Sequence, residues 1–445
     1  MKHIVEPSRK IPVMAETEVL VVGSGPSGLA AALAAAREGV ETLLVERYGC
    51  FGGNITQAMI GSIAWYRYEQ TVEAGGIGVE FETKAKAMGS SIQDRFGEVL
   101  DPDMFKYVAD RMVLEAGITP LLHCFVVHVI MDGNTIKGVV TESKSGRQAI
   151  LAKRVIDCSG DADVAFHAGV KYHKAPKEDL LGVTVNFGCS GVDGDRFVPY
   201  ALAHSQSIGE WAKKTNKKNA QLCSKFLTRP FDMAKEAGEI PKDIYLGCYW
   251  STPNEHGEVK SLNATYMLCM DATDVWDLTE GELVGRQQVI WAVEALRKYA
   301  PGFEKATLRT FSPFLGTRET RKIIGEYNIT EQDVKNQGRF DDSIGIFPEF
   351  LDAYDEVIMP TTGRYFQIPY GILLPQKIEN LLVAGRSVAG DRMSHAATRE
   401  MMCCAVTGQG AGVAAAVSVK DKITCREVNL SRVQRCLKQQ GVRID

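Results

Sequence analysis

Apolar residues along this chain fall into two textures. Toward the ends they form short continuous runs. EVLVV (Glu18–Val22) is a β-branched run of the kind shown by a strand buried on both faces. It is followed by the helix-forming run Leu29–Arg37, with Gly39 placed as its C-cap, and by a second strand, VETLLVE, that ends on Glu46. Near the other end, NLLVAGR is an apolar strand closing on Gly385, and an alanine- and glycine-rich helix then runs from near Glu400 to Val419. Between these regions the pattern changes to strand-like runs such as YLGCYW and SLNATYMLCM, with Trp211, Trp250, Trp276 and Trp291 interspersed. WAKKTNKKNAQ in that interval reads as a solvated helix face or loop.

This order predicts an α/β fold. A Rossmann-like nucleotide-binding domain is assembled from two separated pieces, 15–178 and 370–422. An inserted α+β substrate domain, an antiparallel sheet with attached helices, spans 179–369. A short amphipathic surface helix occupies 423–445.

The three glycines of GSGPSG sharpen the picture. Gly23 permits a tight turn from strand into helix. Gly25 lets backbone approach a pyrophosphate without a Cβ in the way, and Gly28 lets helix and strand pack closely. Pro26 and Ser27 stand at the helix start, where free N–H groups and the helix dipole favour phosphate. Glu46, at the tip of the second strand, can accept hydrogen bonds from both ribose hydroxyls of an adenosine and disfavours a 2′-phosphate. The ligand class is an adenine dinucleotide. The following loop, RYGCFGGN (Arg47–Asn54), carries Gly52 and Gly53, where backbone can lie against another flat or anionic group. That loop favours FAD over NAD.

With these blocks the chain resembles the FAD-dependent oxidoreductases with a glutathione-reductase-like FAD-binding fold, in the bacterial branch usually labelled only by that description. Further blocks extend the resemblance over most of the chain: DPDMFKYVADRMVLEAGITPLLHCFVVHVI, AKRVIDCSGDADVAFHAG, FLGTRETRKIIGEYNITEQDV, and the stretch from IPYGILLP to GQGAGVAAA. The resemblance implies that the Val126 backbone holds the adenine edge and that Ser159, Gly160 and Asp161 form the turn beneath the dinucleotide. Gly385 and Arg386 would meet the ribityl-phosphate arm. The helix beginning at Arg399, Met401 and Met402 would point N–H groups at the flavin's pyrimidine carbonyl.

The candidate chemistry follows from segments that must approach the flavin. His395 is a general acid–base or a structural histidine; the family's T-H-E triplet is replaced here by Asp391-Arg392-Met393. Arg399 would face the pyrimidine side or a substrate anion. Arg318 and Arg321 suit a bidentate grip on a carboxylate, or a salt-bridge network with Glu319 and Glu326. Tyr370 lines the cavity or packs as an ordinary aromatic. Cys50 lacks the second cysteine of dithiol flavoproteins, and Cys403 and Cys404 read as two helical thiols.

Composition bounds the rest. The chain has 445 residues, 45% of them apolar, and a net charge of −4, with no basic block. Nucleic acid and membrane are not expected partners. The N-terminus shows no continuous apolar stretch, so a cytoplasmic protein is expected. The 11 cysteines are scattered without metal-ligand spacing, so no metal site is expected. No second dinucleotide fingerprint lies between 179 and 369. Electrons must therefore come from the small-molecule substrate, an external electron carrier, or NAD(P)H binding without a Rossmann site. The expected activity is hydride transfer at flavin N5 to or from a small polar organic substrate. The alternatives are a flavin monooxygenase and a non-catalytic electron-transfer subunit.

Overall fold

A computed structural model describes residues 2–63, 73–94 and 97–445. Its first sheet is built from β1 (Val13–Val22), β2 (Thr42–Val45), β3 (Thr119–Leu121), β4 (Phe125–Asp132), β5 (Thr135–Ser143) and β6 (Gly146–Asp157). The order is β3-β2-β1-β6-β5-β4, and Leu381–Val383 pairs with β6 as the seventh strand. β1, β2, β3, the C-terminal half of β6 and Leu381–Val383 are parallel; β4, β5 and the start of β6 form an antiparallel meander. Register brings Val22 level with Val45 and Asp157, and Asp157 level with Val383. Four carboxyl ends thus share one edge, which is where ligands bind in open α/β sheets.

Two helices lie together on this sheet. α1 (Pro26–Arg37) starts with proline at a position that needs no N–H donor, and its residues from Pro26 to Ala35 are buried. The second is Met401–Asp421, buried from Met402 to Ser418. It is long and apolar enough to cross a membrane by length and composition, yet 94% of that stretch is buried inside the fold. A helix apolar all round is a core helix when other elements enclose it. Glycines set the approach: a Cβ on Gly408 would lie 2.0 Å from the Ser27 carbonyl oxygen, and one on Gly412 2.2 Å from that of Ala31. The pairs Ser27–Gly408 and Ala31–Gly412 advance in the same direction, so the helices run parallel. Seven residues separate Met401 from Gly408, so the second helix begins about 10 Å beyond the start of α1.

The second sheet comprises β7 (Phe187–Ser190), β8 (Gln206–Ser207), β9 (Cys223–Leu227), β10 (Leu246–Trp250), β11 (Val259–Thr265) and β12 (Thr307–Phe311), in the order β8-β9-β10-β11-β7-β12. Every neighbouring pair is antiparallel. The long helix Val275–Tyr299 covers one face and shares a core with Leu246, Cys248, Trp250, Leu262 and Ala264.

That second core runs from Val183 to Leu315. Residues from Ile323 to Ile378, including the hairpin Ser343–Pro348/Tyr365–Pro369, belong to the first core instead. Ile344 fills the space beside Gly410, where a Cβ would lie 2.5 Å from its Cδ1. The first core thus reaches well back into the interval 179–369. The lysine-rich stretch is a loop tied down at Asp355, through Lys213 at 2.8 Å and the Lys214 amide at 3.0 Å. The C-terminal helix Leu430–Gln439 buries Val433 and Leu437.

Replacing Gly412 by alanine should push a methyl group into the Ala31 carbonyl. We expect a loss of about 1–3 kcal/mol from overpacking, larger than the roughly 1 kcal/mol gained in helix propensity. A lowered urea midpoint checks this; an unchanged midpoint would mean that the two helices do not touch there.

Candidate active site

A cavity of about 720 Å³ lies between the two sheets. One end is lined by Gly23–Ser27, Glu46, Arg47, Val126 and Ser159–Asp161; the other by Arg318, Arg399, Glu400, Met401 and Cys404.

At the first end the three glycines do different things. Gly23 has φ +91, and a Cβ there would strike the Cys158 carbonyl oxygen at 2.5 Å. A Cβ on Gly28 would sit 1.8 Å from the Gly23 oxygen. Around Gly25, however, a Cβ would meet only the Gly53 Cα, at 3.8 Å, so this position is bare toward the cavity. No side chain caps α1 at Gly25, which leaves its first N–H groups directed at the same space. The second glycine loop is fastened to the first: the Gly52 amide donates to the Ser24 carbonyl at 2.9 Å. Arg47 stacks on Tyr48, and Tyr48 stacks on Phe314 at 4.0 Å between centroids, joining this loop to the other half of the molecule. Asn54 donates to the Thr317 carbonyl at 3.3 Å.

Glu46 is buried on the cavity wall. Its carboxylate accepts from the Ser24 amide (2.9 Å), the Ser24 hydroxyl (2.6 Å) and the Tyr48 amide (3.1 Å). These take three of about four acceptor positions. Room remains for one ribose hydroxyl in this arrangement, where the sequence led us to expect two.

The turn after β6 is held by Asp157, which accepts from the Ser159 amide and hydroxyl and from the Ala165 amide. Arg386 clasps this turn, donating to the Gly160 carbonyl (2.9 Å), Asp161 Oδ1 (2.6 Å) and the Thr317 carbonyl (2.5 Å). Gly385, at φ +85, fits against Ser27, whose Oγ a Cβ would meet at 2.5 Å.

At the far end sits a cluster of charges. Glu400 occupies the N-cap of the helix Met401–Asp421, and no side chain caps the N–H groups there. Burial pushes the Glu400 carboxyl from its ordinary 4.5 up to about 7, against the opposing pull of Arg399 and Arg318. Arg399 pairs with Glu400 Oε1 at 3.3 Å and Asp352 Oδ2 at 3.4 Å. Arg318 donates to the Gly182 carbonyl at 2.7 Å and lies over the Tyr266 ring. Among the described residues it forms no carboxylate ion pair, and burial lowers its pKa. Tyr354, also on the wall, donates its hydroxyl to Glu319 at 2.6 Å, and Glu319 is held from behind by Lys322 at 2.5 Å.

Several expectations change here. His395 is buried away from the cavity. Its Nε2 donates to the Arg318 carbonyl at 3.1 Å, and burial pushes its pKa well below 6.5, so it is a neutral buttress and not an acid–base at neutral pH. Arg321 does not join Arg318; it bonds the Asp161 carbonyl and Asp163 Oδ1 and stacks on Phe166. Nor do the anticipated glutamates answer the arginines, since Glu319 takes Lys322 and Tyr354 while Glu326 takes Arg426. Tyr370 is a packed aromatic whose hydroxyl donates to the Cys425 carbonyl at 2.7 Å. Met402 turns its side chain into the core, leaving only its backbone for the cavity. The Cys50 thiol is raised by burial, takes a hydrogen bond from Gln57 and lies off the cavity wall. Of the residues missed, Glu400 gave a usable signal: an acidic residue directly before an apolar core helix. Asp352, Tyr354 and Tyr266 gave none.

Residues 18–437 match the family described as FAD dependent oxidoreductase. The chain belongs to the FAD-dependent oxidoreductase family. It is therefore a flavoenzyme with FAD as cofactor. Among curated relatives of this oxidoreductase, a digeranylgeranylglycerophospholipid reductase of Picrophilus torridus is 28% identical over 191 residues, 40% of this chain and 48% of that protein. A thiamine thiazole synthase of Methanococcus vannielii is 32% identical over 183 residues, 38% of this chain and 64% of the relative. The matches thus span about half to two thirds of those relatives. Among solved structures, a geranylgeranyl bacteriochlorophyll reductase-like protein of Thermoplasma acidophilum aligns with TM-score 0.48 and 14% identity, covering 96% of this chain and 83% of the other. For a p-nitrophenol 4-monooxygenase of Pseudomonas putida the figures are 0.49, 11%, 96% and 85%.

The raised Glu400 pKa predicts a pH-dependent stability. Between about 4.5 and 7 the folded state holds a proton that the unfolded state has released, so stability falls as pH rises through that window. Glu400→Gln should remove this loss. We expect the variant to gain on the order of 3 kcal/mol over the parent near pH 8 and nothing near pH 4. Thermal midpoints across pH provide the check.

Proposed function

We propose that this enzyme transfers a hydride at flavin N5 to or from a small polar organic substrate, with Glu400 as the general acid–base. One observation carries the reading: the Glu400 carboxyl stands on the cavity wall at the start of the helix Met401–Asp421, where desolvation raises its proton affinity toward neutral pH. A catalytic acid–base works best when its pKa lies near the operating pH.

The residues fit FAD. The bare Gly25 and the uncapped start of α1 would hold the pyrophosphate, Glu46 a ribose hydroxyl, the Val126 backbone the adenine edge, and the uncapped amides of Met401 and Met402 the pyrimidine ring. Arg386, already committed to Gly160, Asp161 and Thr317, would shape this cradle instead of pairing with phosphate. Bound FAD supplies a two-electron acceptor or donor.

The chain's own groups do the rest. In the oxidising direction Glu400 accepts the proton that the substrate releases; in the reducing direction it returns one. Arg399, balanced between Asp352 and Glu400, keeps that carboxyl oriented. His395 fixes the Arg318 backbone from behind.

Purified protein should be yellow and should bleach under argon with a reducing substrate in the absence of nicotinamide. Bleaching only with NAD(P)H, with substrate consumed only in oxygen, would overturn this reading in favour of a monooxygenase. Glu400→Gln should retain flavin and lose about a hundredfold or more in kcat. For substrate oxidation the parent rate should rise with pH through about 7, because the carboxylate form is the base, and the variant should lack that rise. Gly25→Val should yield colourless protein.

A further inference from the structure

The substrate sheet presents an aromatic wall to the cavity. Along β10 the side chains alternate: Leu246, Cys248 and Trp250 enter the core beneath the long helix, while Gly247 and Tyr249, with Tyr245 just before the strand, face the cavity. On β9 Phe226 faces the same way, paired across the strands with Tyr249. Gly247 has a specific use. A Cβ there would lie 2.4 Å from the Phe226 Cζ, so the tip of the ring occupies the space where a side chain would stand. Trp211 extends this surface at 5.7 Å from Phe226, and Tyr245 meets Tyr266 at 5.9 Å.

Tyr266 in turn lies beneath the Arg318 guanidinium, 5.2 Å away. Arg399 is matched by Asp352, but among the described residues Arg318 has only the neutral Gly182 carbonyl as hydrogen-bond partner. A half-buried guanidinium with donors left over on the cavity wall suits an anion, and its planar fork matches a carboxylate. The rings beside it call for a flat partner.

We propose that this wall is a substrate subsite for a planar carboxylic acid, aromatic or conjugated, whose carboxylate pairs with Arg318 and whose π system lies against Phe226, Tyr245 and Tyr249. The assignment rests on the reading that the Glu400 end of the cavity receives substrate.

The test uses the flavin-loaded enzyme without turnover. Binding is read from perturbation of the flavin absorbance and from quenching of tryptophan fluorescence. The probes are benzoate, its uncharged counterpart benzamide, and acetate, which has the charge but no ring. Benzoate should bind about tenfold or more tightly than either control. Arg318→Gln should erase the preference for benzoate over benzamide. Tyr245→Leu, at a position 47% exposed and so tolerant of change, should weaken benzoate severalfold and leave acetate unaffected. Equal affinity for benzoate and benzamide, or for benzoate and acetate, in the parent enzyme would overturn the proposal without reliance on any variant. If substrate bleaches the flavin but benzoate shows no preference, only the subsite falls. If the preference holds while Glu400→Gln turns over normally, only the acid–base role falls.

Discussion

Everything in this fold depends on two helices lying closer than side chains allow. The contact between α1 and the helix Met401–Asp421 is made by backbone meeting glycine at Gly408 and Gly412. Chain segments about 380 positions apart are thereby locked in parallel, with their N-termini offset by about 10 Å and both opening on one cavity. Each end concentrates uncapped N–H groups and the positive end of a dipole. The result is two anion-favouring points at a fixed separation on a rigid base, which suits a long cofactor with a pyrophosphate in its middle and an electron-accepting ring at its end. A wider approach would tilt one helix and lose the alignment.

The catalytic end shows the opposite economy, with charges held where burial disfavours them. Arg318, Arg399, Asp352 and Glu400 crowd the cavity wall, and Lys322 and Glu319 are buried behind it. Such groups persist in a low-dielectric site only when paired or when one is kept neutral. Glu400 answers by holding its proton toward neutral pH, and Arg399 by pairing with Asp352. His395 answers by staying neutral. Among the described residues Arg318 is the exception, with the neutral Gly182 carbonyl as its hydrogen-bond partner.

The two sheets divide the work. In the first sheet the central parallel strands are buried and supply edges and turns; the antiparallel sheet buries one face under the helix Val275–Tyr299 and turns the other to the cavity. Where the chain returns from the second sheet, Thr317, Thr320 and Arg321 bond to Arg386, Asp161 and Asp163. The joint between the two halves is therefore made of the same residues that frame the turn after β6.

What the sequence determined by itself was local. Gly23, Gly25 and Gly28, the strand ending on Glu46 and the alanine-rich helix each state a backbone requirement within a few residues, so the nucleotide-binding half and its cofactor were legible. The alternation of YLGCYW was legible too, though which face met ligand was not. Only the tertiary structure decided the chemistry. Arg318 and Arg321 look alike three residues apart, but in non-helical chain an odd spacing sends side chains to opposite sides, and one reached the cavity while the other joined Asp161. His395 sits in sequence beside the cofactor helix but stays off the cavity wall, whereas Glu400, Asp352 and Tyr354, from two distant segments, all line it. Burial, charge neighbours and proton affinity arise from what surrounds a residue in space, and a linear order of side chains does not contain them.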